Sequence, residues 1–280
     1  MRDLLSEVKR ILRLYRIHPR RRMGQNFVVD DEVFSKMMDY VDLDGDETVL
    51  EVGSGLGFLT ERLAKTCGKV VAVEADRKLV RVLKNRLRRY RNVELIHGDI
   101  FRVCLPEFDK VVSTPPYSIS SKLVLWLLER KNLELAVLTL QDEFARRLTA
   151  PIGSRDYGRL TVTAYYHAEI EALDKIPRDS FYPPPKVDSR IVLIKPREPP
   201  FKVRNPTLYR ELVKSLFTQR RRKVKKGILP FLKNLGLKEE KAKDFIVELP
   251  FLDSRVKDLA PEDFGLLSDE VSKKLEDNLL

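Results

Sequence analysis

The run Thr48-Val49-Leu50-Glu51-Val52-Gly53-Ser54-Gly55-Leu56-Gly57 decides the fold. Its first five residues are a short, mostly apolar, strand-like run. Three glycines at alternate positions follow, and then a helical pattern over Phe58–Thr66. Glycines at a strand-to-helix turn let backbone approach a ligand closely, and the helix N-terminus favours negative or polar groups. The next strand-like run, Val70–Glu74, ends in an acid 21 residues after Gly53. In dinucleotide folds an acid at that distance reaches a ribose hydroxyl. The pattern fits NAD or S-adenosylmethionine (SAM), and two details favour SAM. The spacing is G-x-G-x-G, and Glu51 stands just before the first glycine, where its charge would repel a pyrophosphate. SAM carries an ammonium and a sulfonium and no phosphate. Asp99, in Gly98-Asp99 after the third strand, is a third carboxylate able to accept a hydrogen bond from an adenine amine.

Outward from this run the chain alternates. Strands are expected at Val93–His97, Lys110–Ser113 and Leu135–Leu140, and helices at Arg77–Arg89, Ser120–Glu129 and Asp142–Ala150. Such alternation implies a parallel sheet with helices on both faces, a Rossmann-like α/β fold. A short helix near Leu160–Tyr166 and two late strands, Glu169–Lys175 and Val187–Ile194, follow, the latter expected to close the sheet antiparallel. Lys195–Pro200 holds three prolines in six residues and reads as a linker, and the rest shows helical periodicity only. The expected organisation is a basic N-terminal helix within 1–22, a SAM-binding Rossmann-like domain over 23–198 and a small helical domain over 199–280. The first helix is expected to cover residues 1–17 and to stop at Pro19.

At 280 residues with 43% hydrophobic and 34% charged residues, the chain is neither disordered nor collagen-like. No apolar run is long enough to cross a bilayer as a helix. Two cysteines, Cys67 and Cys104, fit a reducing compartment, and a cytoplasmic location is expected. The three histidines and two cysteines form no metal-ligand pattern, so no metal is expected. The net charge of +11 is concentrated. Met1–Arg22 carries eight Lys/Arg against Asp3 and Glu7, and Lys214–Lys226 carries seven with no acid. Compact basic clusters point to a polyanion, most simply nucleic acid.

The fourth strand runs into Ser113-Thr114-Pro115-Pro116-Tyr117. Two prolines fix the turn and leave carbonyls without local N–H partners. Beside them a Tyr offers a stacking face. Chemistry on an exocyclic amine needs both: acceptors for the amino hydrogens and an aromatic platform for a base removed from its stack.

These residues, with Gly24-Gln25-Asn26-Phe27, Asp156-Tyr157-Gly158-Arg159-Leu160, Phe181-Tyr182-Pro183-Pro184-Pro185-Lys186-Val187 and Leu216-Phe217-Thr218-Gln219-Arg220, resemble the KsgA-type small-subunit rRNA adenine dimethyltransferases. The match runs in order from about residue 24 to about residue 226, and the extended N-terminal helix is similar to that of archaeal members. The resemblance implies SAM-dependent conversion of two adjacent adenosines near the 3′ end of small-subunit rRNA to N6,N6-dimethyladenosine. The implied enzyme is a monomer acting on an assembled pre-subunit, away from membranes. It further implies that Asn26, Val28, Gly53, Gly55, Glu74, Asp99, Ile100 and Thr114 border SAM. Thr114 and the Pro115 carbonyl would receive the target amine, and Tyr117 and Phe181 would sandwich the base. Arg220, Arg221, Arg222, Lys223, Lys225 and Lys226 would hold RNA.

One position departs from the family's pattern. Thr114 stands where the family usually has Asn, offering a short hydroxyl in place of a longer carbonyl acceptor. Loss of one acceptor would cost about 2–4 kcal/mol of transition-state stabilisation if nothing compensates. The alternative this leaves open is a catalytically weak rRNA-binding assembly factor that retains SAM binding. A DNA adenine methyltransferase and an NAD oxidoreductase fit the remaining motifs less well.

Overall fold

The computed structural model describes residues 3–20, 23–130 and 132–277. Met1, Arg2, Arg21 and Arg22 of the N-terminal basic stretch, and the last three residues of the helical region, lie outside the described residues. The described chain divides into two compact units, residues 1–145 with 169–196, and residues 146–168 with 197–280.

In the first unit, helix α1 (Leu4–Leu14) is followed by strand β1 (Phe27–Val28), α2 (Asp31–Val41), β2 (Thr48–Val52), α3 (Phe58–Thr66), β3 (Lys69–Glu74), α4 (Arg77–Arg86) and β4 (Val93–His97). Then come β5 (Lys110–Ser113), α5 (Ser120–Leu128), β6 (Leu135–Gln141) and the start of α6 (Asp142–Leu148). After α7 (Arg159–His167) the chain returns to this unit with β7 (Ala168–Ile176), β8 (Phe181–Tyr182) and β9 (Ser189–Pro196). Seven strands form one sheet in the order β4-β3-β2-β5-β6-β9-β7. The pairs β2–β3, β3–β4, β2–β5 and β5–β6 are parallel, and β9 runs antiparallel to β6. This is the expected mostly parallel Rossmann-like sheet. The order reverses between β2 and β5, and in open α/β sheets the ligand crevice lies beyond the carboxyl ends of strands at such a point. Helices on both faces bury β2 almost completely, Glu51 included.

Helix α1 ends earlier than Pro19. Arg16 takes a left-handed conformation (φ 50°), the Arg16 N–H donates to the Arg13 carbonyl (3.1 Å) and the Ile17 N–H to the Leu12 carbonyl (2.8 Å). That double closure terminates the helix five residues before the proline, with Ile17 buried. Val8, Ile11 and Leu12 also bury into the first unit's core, so the basic helix belongs to the sheet unit. Each such burial stabilises the unit by about 1.5–3 kcal/mol.

Between Pro19 and Thr48 the sequence reading named no element, and the structure adds β1 and α2. Asp30 caps α2 by accepting from the Glu32 N–H (3.1 Å) and also accepts from the Ser180 hydroxyl (2.9 Å). Strand β1 pairs antiparallel with β8, Phe27 opposite Tyr182 and Val28 opposite Phe181. The Gly24–Phe27 and Phe181–Val187 motifs are therefore two edges of one ladder.

The second unit is helical. It holds α7, α8 (Pro206–Leu216), α9 (Val224–Gly227), α10 (Leu229–Asn234), α11 (Glu239–Ile246) and α12 (Pro261–Asp277). Residues 146–168 fall in this unit, whereas the sequence reading drew a single boundary at 198/199. The reason is burial: Tyr157, Val162 and Tyr166 share a core with Leu212, Leu216 and Phe264. Tyr157 is 1% exposed, and its hydroxyl donates to the Leu259 carbonyl at 2.7 Å. The Asp156–Leu160 motif is thus a hydrophobic anchor of the helical unit.

Candidate active site

A cavity of about 400 Å³ opens in the first unit at the reversal of strand order, within the usual size range of small-molecule sites. It is lined by the loops after β2, β3, β4 and β5 and by residues 23–28. Of the residues expected to border a cofactor, Asn26, Val28, Gly53, Gly55, Glu74, Asp99, Ile100 and Thr114 all line it.

Glycine is required at two of its walls. Gly53 has φ +76°, and a Cβ there would lie 3.0 Å from Pro116 Cδ. Gly24 has φ +63°, and a Cβ there would lie 3.0 Å from Pro116 Cβ and 3.2 Å from the Tyr117 nitrogen. Two separate motifs therefore close on a proline of the third.

Glu74 ends β3 and is buried. One carboxylate oxygen accepts from the Gly55 N–H (2.9 Å) and the other from the Asp76 N–H (2.8 Å). Burial raises its pKa, while those two N–H groups pull the other way. Asp76 caps α4 by accepting from the Lys78 N–H (2.8 Å), and it also accepts from the Gln25 side-chain amide (2.9 Å). The Gln25 oxygen in turn accepts from the Arg20 N–H (2.8 Å). Burial opposes the charge on Asp76, but the Gln25 and Lys78 bonds outweigh it and hold the carboxyl below its usual range. Gln25 lines the cavity and Asp76 holds it from outside the lining, and sequence reasoning gave neither a role. Asp76 is legible as a helix cap after a strand, whereas its bond to a residue 51 positions earlier has no sequence signal.

Glu51 is 2% exposed and lines the cavity. Burial pushes its carboxyl up to about 7, against hydroxyl donation from Thr60. Asp99 sits at the rim, accepting from the Phe101 N–H at 3.1 Å, with the Arg102 guanidinium 3.6 Å away. The cavity thus presents Glu51, Glu74 and Asp99, and among the described residues no Lys or Arg lines it. Such a donor set suits a cationic, hydroxyl-bearing ligand without phosphate, and SAM has that chemistry. The set does not suit a pyrophosphate.

The turn after β5 carries the other predicted residues. Thr114 reaches the cavity. Pro115 is buried and its side chain is not part of the cavity wall. Tyr117 is half-buried in a short 3-10 turn, Tyr117–Ile119, and its hydroxyl pairs with that of Ser189 at the start of β9. Burial raises the Tyr117 pKa, so the phenol stays protonated near neutral pH. Phe181 departs from the expected sandwich. It is 3% exposed and packs in the core that holds Val28, Ile176 and Ile191, because β8 is pinned to β1 and turns that side chain inward. Its neighbour Tyr182 stays half-buried, with the Lys9 ammonium 5.2 Å from its ring centre.

In the second unit the predicted RNA-binding run divides by role. Arg220 donates to the Arg155 and Ser154 carbonyls, both at 2.8 Å, and so ties the helical unit together. Lys223 and Lys225 share Asp253 (3.0 and 2.7 Å). Arg221, Arg222 and Lys226 are exposed and form no ion pair among the described residues. Among the described residues, no helix is long and apolar enough to cross a membrane.

Comparison with known proteins agrees with this geometry. The chain is similar, at 43% identity over 86% of its length and 89% of the relative's, to a probable ribosomal RNA small subunit methyltransferase A of Methanosarcina acetivorans. A protein of the same name from Thermococcus gammatolerans is 39% identical over 98% of this chain and 100% of its own. Among solved structures, a dimethyladenosine transferase from Plasmodium falciparum superposes with TM-score 0.79 at 28% identity, covering 89% of this chain and 98% of its own. The 23S rRNA methyltransferase ErmE superposes with TM-score 0.67 at 29% identity, covering 88% and 100%. The family model described as ribosomal RNA adenine dimethylase matches residues 17–272, which takes in the glycine loop, the Pro-Pro-Tyr turn and the helical unit alike. With sheet order, cavity and match in agreement over nearly its whole length, the chain belongs to the ribosomal RNA adenine dimethylase family.

Proposed function

We propose that this protein transfers methyl groups from SAM to N6 of two adjacent adenosines near the 3′ end of small-subunit rRNA, acting as a monomer on an assembled pre-subunit. The observation that carries the reading is a cavity lined by three carboxylates, with no Lys or Arg among the described lining residues, joined through Pro116 to an acceptor-rich turn. SAM supplies an activated methyl group on a sulfonium that is already a good leaving group. The protein's part is therefore to position the reactants and stabilise charge. Glu74, its carboxylate fixed by two backbone N–H groups, would take the ribose hydroxyls. Asp99 would accept from the adenine amine of the cofactor, with Ile100 against its ring. Asn26, Val28, Gly53 and Gly55 would form the remaining walls.

On the target side, the Pro115 carbonyl and the Thr114 hydroxyl would accept the two N6 hydrogens of the substrate adenine. Accepting them draws the nitrogen lone pair out of conjugation and toward the methyl group. Tyr117 would support the extruded base, its ring held by the bond to Ser189. Phe181 would act from beneath, by fixing the β1–β8 ladder. Arg221, Arg222 and Lys226 would contact phosphates, joined by Lys223 and Lys225 on release from Asp253. The test is incubation of small subunits lacking dimethyladenosine with the protein and methyl-tritiated SAM. Label in the rRNA, undiminished by excess NAD, is expected. Binding of NAD in place of SAM, or label in DNA only, would overturn the reading.

A further inference from the structure

A third basic cluster escaped the reading of the sequence. Residues 77–91 carry eight Lys/Arg and no acid. The run starts at α4, whose first turn follows Glu74 and Asp76 at the cavity, and its cations separate into two roles. Arg86 is internal: its guanidinium bonds Glu61 (2.5 Å) and Glu7 (3.2 Å) and lies over the Phe58 ring. Arg89 reaches the same Glu61 at 3.4 Å. Arg77, Arg81, Lys84 and Arg88 are exposed and form no ion pair among the described residues. Arg77, Arg81 and Lys84, four and three residues apart, share one face of the helix, and Arg88 follows in the turn after it. At the helical rise the three helical positions span about 10 Å.

Helix α1 lies beside it and extends the same sign of charge. Glu7 meets Arg86, the Tyr15 hydroxyl accepts from the Asn85 amide (2.8 Å), and Lys78 reaches the Arg16 carbonyl (3.4 Å). These contacts run the two helices antiparallel. Lys9, Arg10, Arg13 and Arg16 on α1 and its end are exposed. The apolar residues of α4 are buried, namely Leu79, Val80, Val82 and Leu83. Leu14 on α1 is exposed, but on α4 no apolar side chain is exposed between the cations, and such a face matches a phosphate backbone better than a lipid interface, which needs a broad apolar face to insert.

We propose that the α4 stripe, Arg77, Arg81, Lys84 and Arg88, with the adjoining cations of α1, is an RNA phosphate-binding face of the sheet unit, additional to the basic run of the helical unit. The proposal rests on the rRNA-modifying reading and adds a second anchor for the same partner. Phosphate contacts of this kind set orientation and carry no base specificity. The stripe begins beside the cavity, so it would fix the direction in which the RNA leaves the site.

The test uses the full chain and small ribosomal subunits. Dissociation constants are measured from 50 to 200 mM salt for the wild type, for Arg81→Gln/Lys84→Gln/Arg88→Gln, and for Arg81→Lys/Arg88→Lys. SAM affinity and melting temperature serve as checks on folding. Loss of three phosphate contacts should shrink the wild-type affinity change across that salt range by about 20–40-fold. The charge-retaining variant should keep the wild-type slope. An unchanged slope in the Gln variant would make the stripe a solvated face and overturn the proposal. So would a loss of affinity for vesicles of anionic phospholipid in place of subunits, or a wild type that does not bind subunits. Failure of the methyltransferase reading is seen separately, as absence of methyl transfer by a wild type that still binds subunits with the expected slope.

Discussion

Gly24 closes on Pro116 so tightly that a Cβ on the glycine would stand 3.0 Å from Pro116 Cβ. Gly53 does the same from the other side, at 3.0 Å from Pro116 Cδ. Cofactor loop, N-terminal motif and Pro-Pro-Tyr turn are thereby held in one arrangement, so the cavity and the acceptor turn cannot shift independently. Both glycines also have left-handed backbones that other residues resist. Gly24→Ala should therefore destabilise the protein by about 1–3 kcal/mol and lower kcat further than KM. Thermal melting and steady-state kinetics check this. A stable variant with full kcat would show that the packing against Pro116 has no catalytic consequence.

Glu51 sets a pH dependence. Its pKa is near 4.5 in the unfolded chain and about 7 in the folded one. Because the folded value is raised, the folded protein keeps the proton over that window while the unfolded chain has lost it. Stability therefore falls as pH rises from about 4.5 to 7 and levels off above, by about 3 kcal/mol for this group. Glu51→Gln keeps an oxygen for the Thr60 hydroxyl and should flatten that slope and melt higher than wild type at pH 8. SAM, a cation, should bind wild type more tightly as pH passes 7, and the variant should lose that trend. Melting curves and SAM titrations from pH 5 to 8 measure both.

Tyr117 separates ring from hydroxyl. Tyr117→Ala should reduce kcat by at least about 100-fold with the SAM dissociation constant unchanged, since the residue does not line the cofactor cavity. Tyr117→Phe keeps the stacking face and loses only the bond to Ser189, so a loss of about tenfold or less is expected. Equal losses in the two variants would mean that the hydroxyl, and not the ring, is what matters.

The basic run of the helical unit should divide in the same way. Arg220→Ala removes two charge-assisted bonds to carbonyls and should lower stability by about 2 kcal/mol. Arg221→Gln with Arg222→Gln should leave melting unchanged and weaken subunit binding with a shallower salt slope. Reversed results would exchange the structural and RNA-contacting roles.

The sheet was legible because strands buried on both faces and glycine turns at fixed offsets are local signals. Thr48–Val52, Phe58–Thr66, Val93–His97 and Lys110–Ser113 have the bounds read from the sequence. The cavity wall was legible for the same reason, since Gly53, Glu74 and Asp99 each stand at or just after a strand end. What failed depends on tertiary contact. Strands of two residues, β1 and β8, have no periodicity to detect, and without their pairing nothing in the sequence shows that Phe181, expected to stack on the base, is buried in the core. Residues 146–168 read as part of the sheet domain because they precede its last strands, and only the burial of Tyr157 among C-terminal helices assigns them otherwise. Arg220 looks like its neighbours in sequence, and only its reach to the Ser154 and Arg155 carbonyls sets it apart.

Thr114 bears on completion of the reaction. It lines the cavity where the family's usual Asn would offer a longer acceptor. Thr114→Ala should lower the rate of the first transfer, in which N6 carries two hydrogens, at least as much as the second, and Thr114→Asn should equal or exceed wild type. A rate unaffected by Thr114→Ala would leave the Pro115 carbonyl as the sole acceptor.

The most direct measurement is the methylation state of the product. Small subunits lacking dimethyladenosine would be incubated with the protein and SAM, the rRNA digested, and mono- and dimethyladenosine quantified by mass spectrometry. The account predicts dimethyladenosine approaching two residues per subunit, both at adjacent positions near the 3′ end. No methylated adenosine, despite measurable binding of both SAM and subunits, would contradict it and leave an rRNA-binding assembly factor in its place.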